Sequence, residues 1–196
     1  MILISEPRKG QLVRIERIFK NAPNRPQVSR YRFLGSEGAA GSIYYSLAPL
    51  DQPTPTPDQY YIRRSNIQSV QGGQSTNRTV EVRLGGKAST CRWFEGIRFL
   101  GVTARRTVYV LQIGGGLEYR SYDFAKATDQ PSLRVGGGRA RQIPGGGLIY
   151  RFANLGYTYA IEVSPASRPS AKVVLRRGGH LIQVEPVQSY IDARPR

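Results

Sequence analysis

Apolar and polar residues alternate along much of this chain with a period of two, the spacing at which successive side chains of an extended strand point to opposite faces. In Arg30-Tyr31-Arg32-Phe33 the rings fall on one face and the guanidiniums on the other. Strands are predicted for Leu12–Phe19, Arg30–Leu34, Ser42–Leu47, Tyr60–Val70, Thr79–Leu84, Thr90–Phe94, Arg98–Val102, Thr107–Ile113 and Leu117–Tyr122. Four more follow: Leu148–Phe152, Tyr157–Val163, Lys172–Leu175 and Leu181–Val184. Each is rich in branched or aromatic residues and bounded by Gly or polar turns. The 22 glycines and 13 prolines interrupt most long helical windows. At most, short helical turns are expected near Tyr122–Thr128 or Val187–Ala193. The predicted fold is mainly β, with antiparallel barrel- or sandwich-like sheets and little helix.

Two stretches read as connections. Pro49–Pro57 predicts a stiff, extended loop. Residues 132–147 hold the triplets Gly136–Gly138 and Gly145–Gly147 around Arg139 and Arg141, and read as a Gly/Arg-rich linker or loop. The expected division is therefore a β domain over 1–131 and a smaller β unit over 148–196. Ile62-Arg63-Arg64 followed by Ile67-Gln68 and Val70 is echoed by Leu175-Arg176-Arg177 followed by Ile182-Gln183-Val184. Such an echo is either a repeat or the common look of hairpins in an Arg-rich chain.

Charge narrows the function. The net charge is +16 over 196 residues, with 29 Lys and Arg against 13 Asp and Glu. Arginine supplies 24 of those cations, and its planar fork suits bidentate contact with carboxylates or phosphates. A surface this basic attracts an anionic partner, whether an acidic protein assembly, nucleic acid or an anionic membrane surface. Arginines interleave with rings at Tyr60-Tyr61-Ile62-Arg63-Arg64, Tyr119-Arg120-Ser121-Tyr122 and Tyr150-Arg151-Phe152. Base stacking needs rings and cations on one exposed face, and strand alternation puts many of them opposite. Nucleic-acid binding thus rests on charge alone.

Catalytic signatures are sparse. His180, the single histidine, stands in a Gly-Gly-His turn context and reads as a turn or surface residue. Cys91, the single cysteine, reads as a small core residue, with covalent chromophore attachment as the alternative. One cysteine forms neither an internal disulfide nor a Cys-based zinc site. Gly85-Gly86-Lys87-Ala88-Ser89 lacks the Ser or Thr after Lys, and Glu81 stands where a phosphate loop needs its first Gly. The carboxylates show no metal-ligand spacing, and no cofactor is expected. No apolar run approaches the length of a membrane span. The expectation is a soluble, cytoplasmic, non-enzymatic protein.

Ser29-Arg30-Tyr31-Arg32-Phe33, Tyr61-Ile62-Arg63-Arg64-Ser65 and Arg83-Leu84-Gly85-Gly86-Lys87 resemble the small rod-capping linker domain of cyanobacterial phycobilisomes. The segment Leu175–Pro186 also looks like that domain's closing Arg-Leu-Gly-Gly stretch. The chain departs from the family at Asn66-Ile67, where the family has Gly-Ser. The resemblance implies a linker in light harvesting, at the cytoplasmic face of a photosynthetic membrane. Its partner would be an acidic ring of phycobiliprotein hexamers. It assigns contacts to Arg63, Arg64, Arg83 and Lys87, with Tyr60 and Tyr61 as flat anchors. Arg30, Arg32, Ser65, Arg176 and Arg177 complete the expected partner-binding set. The alternative is a nucleic-acid-binding β-barrel protein associated with a phage or plasmid.

Overall fold

The computed structural model describes residues 1–52, 58–71, 74–91, 94, 96–126, 130–165, 167 and 169–192, and of 23, 67–71 and 74–77 the backbone only. Strands make up 72% of it and no helix occurs among the described residues, so register and twist set the tertiary contacts. In chain order the strands are β1 (Ile2–Ile4), β2 (Leu12–Phe19), β3 (Ala22–Ala39), β4 (Ser42–Pro49), β5 (Tyr61–Gln71), β6 (Gln74–Leu84), β7 (Lys87–Thr90) and β8 (Ile97–Val102). They continue as β9 (Arg106–Ile113), β10 (Gly116–Asp123), β11 (Leu133–Ile143), β12 (Gly147–Asn154), β13 (Tyr157–Val163), β14 (Ala171–Arg177), β15 (His180–Val187) and β16 (Ser189–Asp192).

β1 to β7 form a seven-stranded antiparallel meander, curled into a half-barrel. The other nine strands form one sheet in the order β15-β14-β13-β12-β11-β10-β9-β8-β16. β15 and β16 lie at opposite edges of that sheet, yet only Gln188 separates them in the chain. A single residue bridges the two edges only if the sheet curls until they meet, giving a nearly closed barrel. The Gln188 N–H donates to the Val102 carbonyl at 2.7 Å across this seam.

Alternation builds both cores. The half-barrel packs Val13, Ile15, Tyr31, Leu47, Ile62 and Val82 against one another. The barrel is filled by Phe99, Val108, Val110, Tyr119, Tyr150, Phe152, Ile161 and their neighbours, as a barrel this narrow requires. A third cluster, Tyr109, Leu111 and Tyr122, is covered by Phe94. Two-residue turns with both residues at positive φ join five strand pairs: Ala40-Gly41, Gly85-Gly86, Gly114-Gly115, Leu155-Gly156 and Gly178-Gly179. This geometry matches the right-handed twist of the strands it connects.

The structure corrects four expectations. Residues 133–143 are a strand, not a linker, paired with β10 on one side and β12 on the other. Its glycines bend rather than break it: the register shifts at Gly136–Gly137, and Gly137 has φ +71. A Cβ on Gly138 would collide with the ring of Phe152. The chain forms two compact units, but one holds residues 2–18 and 26–91 and the other residues 19–25 and 94–192, so no boundary falls at 132–147. Finally, β7 ends at Thr90, and the expected helical turn after Val187 is β16. Of the predicted Pro49–Pro57 loop, residues 53–57 lie outside the described ones, as do 127–128 of the first expected helical turn and residue 193 of the second.

Candidate functional site

The face of the half-barrel sheet turned away from its core gathers three of the expected residues, Tyr61, Arg63 and Arg83, around Glu81. On β5 and β6, Tyr61 lies opposite Arg83 and Arg63 opposite Glu81, while Ile62 and Val82 point into the core. The Tyr61 hydroxyl donates to Glu81 Oε1 at 2.6 Å, and Arg63 Nη2 donates to Glu81 Oε2 at 3.1 Å. Arg83 stands 3.6 Å from the same carboxylate and lies over the Tyr61 ring at 5.2 Å. The hydrogen bond from Tyr61, then that from Arg63, hold the Glu81 carboxyl below its usual range against an opposing burial effect. Burial, then the bond to Glu81, push the Tyr61 phenol up. One carboxylate here serves two guanidiniums and a phenol.

The remaining expected residues are dispersed. Arg64 forms a two-pronged pair with Glu6, at 2.8 and 3.0 Å, and covers the Tyr45 ring at 4.9 Å. Arg32 donates to the Gln52 carbonyl at 2.5 Å. Arg30 and Lys87 are exposed. Tyr60 packs against the half-barrel core and Tyr61 is buried, so neither is a free flat anchor. Ser65 is half-buried opposite Ser42. Arg176 and Arg177 lie on the barrel, Arg176 donating to the Gly179 carbonyl and Arg177 over the Tyr157 ring at 5.2 Å.

The barrel carries a basic wall of three arginines, of which Arg139 and Arg141 fall in the expected linker or loop and Arg151 in an expected strand. Arg139 on β11 sits directly opposite Arg151 on β12, and Arg141 lies two residues along on the face of Arg139. All three are exposed, while Tyr150 and Phe152, the rings beside Arg151 in sequence, point into the core. No ion pair reaches these three arginines among the described residues. Glu162, on the neighbouring β13, is bonded to Lys172 at 2.9 Å. Like charges directly opposite on paired strands destabilise a sheet. Next along the wall, Arg120 and Arg134 are opposite each other but share Glu118.

Inside the seam the logic reverses. Glu185 is buried on β15, accepting from the Thr103 hydroxyl at 2.7 Å and from Gln183 at 2.8 Å. Arg106 reaches Glu185 at 3.1 Å and Asp123 at 3.3 Å. This network ties β9, β10 and β15 together where the sheet edges meet.

Burial raises the pKa of the Cys91 thiol, which packs against the half-barrel core and so stays protonated at neutral pH. His180 is exposed at the start of β15. No group of three or more His, Cys, Asp or Glu stands close enough to hold a metal ion among the described residues. No helix among them is long and apolar enough to cross a membrane. No protein-family model, no curated protein and no solved structure matches the chain.

Proposed function

We propose that this chain is a non-catalytic binding module for an acidic, multi-subunit protein assembly, held by the arginine wall of its barrel. One observation carries this reading: Arg139 faces Arg151 across paired strands, with Arg141 beside them and, among the described residues, no carboxylate bonded to any of the three. Such an arrangement weakens the isolated sheet and becomes favourable when a partner supplies anions. Carboxylates match the guanidinium fork bidentately. Phycobiliprotein hexamers, the partner implied by the linker-domain resemblance, are the first acidic assembly to test.

Immobilised hexamers and immobilised duplex DNA are presented with the protein at low salt. Retention on the hexamers, reduced about tenfold by joint replacement of Arg139 and Arg151 with Ala, is the expected result; two lost charge-assisted contacts of modest strength give that factor. Retention on DNA alone, falling log-linearly with salt, would replace this reading with phosphate-backbone binding.

A further inference from the structure

We propose that the end of the barrel built from the tips of the β12–β13 and β14–β15 hairpins docks on an anionic lipid bilayer, with Leu155 inserted among the acyl chains and Arg176 and Arg177 against headgroup phosphates. This surface is distinct from the arginine wall and does not rest on the wall's proposed partner.

Leu155-Gly156 and Gly178-Gly179 are neighbouring two-residue turns of the same backbone shape, with φ of +48 and +78 in the first and +54 and +85 in the second. The Gly178 N–H donates to the Gly156 carbonyl at 3.2 Å, which fixes the two tips side by side. The first position of this turn favours Gly, Asn or Asp, because a Cβ is strained at positive φ. Among the five such turns described, three place Gly there and one Ala; the fifth places Leu155. That leucine is also 90% exposed, so its strain is not offset by burial within the chain. A bulky apolar side chain held against both preferences marks a contact made outside the fold.

The surroundings choose the partner. Leu181 and Ile182, on the second hairpin, are 56% and 55% exposed, and the register shift opposite Arg176 leaves Ile182 outside the ladder. Residues 152–159 and 175–184 contain no Asp or Glu, but carry Arg176, Arg177 and His180. Arg105 lines the same groove as Ile182 and Val184, and Glu185, which also lines it, is paired with Arg106. Aliphatic side chains on projecting hairpin tips, ringed by cations, combine acyl-chain burial with attraction to anionic headgroups. A second copy of this chain, at +16, is repelled.

The test is co-sedimentation with vesicles of phosphatidylglycerol and phosphatidylcholine in equal parts, against phosphatidylcholine alone. The intact chain is expected to sediment with the anionic vesicles and far less with the neutral ones. Leu155→Asn is expected to bind about tenfold more weakly, from loss of one buried leucine, while its melting temperature holds or rises because Asn suits the turn. Opposite signs in the two readouts separate an insertion residue from a structural one. The proposal is overturned if the intact chain ignores anionic vesicles, or if Leu155→Asn sediments like it. It is equally overturned if only the joint Arg139→Ala and Arg151→Ala variant loses binding, since attraction would then come from the wall.

Discussion

The two units use arginine in contrasting ways. On the half-barrel, Arg63 and Arg83 converge on Glu81, and Arg64 grips Glu6. On the barrel wall, Arg139 faces Arg151 with no carboxylate bonded to either among the described residues. The first set is held by the protein's own anions and braces the sheet. The second is a local liability that an external anion would relieve. A net charge of +16 therefore overstates some regions and understates others: what matters for a partner is where cations outnumber the carboxylates within reach.

That contrast breaks most visibly at its buried extreme. Glu185→Ala leaves Arg106 with Asp123 as its carboxylate partner and takes the buried acceptor from Thr103, and should lower stability by about 2 kcal/mol, the range for breaking hydrogen bonds to a buried charged group. Urea unfolding measures it; a loss under about 1 kcal/mol would mean that Asp123 alone satisfies Arg106 and that the Glu185 pairing does not brace the seam.

On the half-barrel face the effect is smaller and depends on pH. Glu81→Gln should lower stability by about 1–2 kcal/mol at neutral pH, the range for weakening hydrogen bonds to a charged group. The folded-state pKa of Glu81 is lowered, so its contribution is present above the unfolded carboxyl pKa and disappears as pH falls through the folded one. Melting curves of the two proteins should converge below about pH 4. A gap that persists in acid would assign the loss to packing instead.

The wall should respond with the opposite sign. Replacing both Arg139 and Arg151 by Ala relieves a like-charge pair and should leave stability unchanged or raise it by about 0.5 kcal/mol. A clear loss would show that these side chains brace the barrel, as Arg63 does the half-barrel.

Much of the β architecture was legible because alternation of period two survives wherever one strand face is buried. Arg30–Phe33 is an instance: Tyr31 and Phe33 pack in the core as the pattern requires. β11 was hidden by its glycine triplet, which resembles a linker in composition but serves to bend a strand and admit Phe152. β16 was hidden because four residues after a proline-containing strand carry too little pattern, and closure of the sheet gives them a partner in β8. The state of each arginine was not legible. Arg63 meets Glu81 across 18 residues, and Arg64 meets Glu6 across 58, so pairing follows from register and not from neighbours in sequence. Leu155-Gly156 was visible as letters, but its strain appears only once the turn's φ values are known.

The most direct test compares wall and face in one binding series. Affinity for immobilised phycobiliprotein hexamers is measured across a salt gradient for the intact chain, for Arg139→Ala with Arg151→Ala, and for Arg63→Ala with Arg83→Ala. Loss of affinity and a shallower salt dependence in the wall variant, with the face variant close to the intact chain, is the predicted result. Equal losses in both variants, or a loss confined to the face variant, would contradict it.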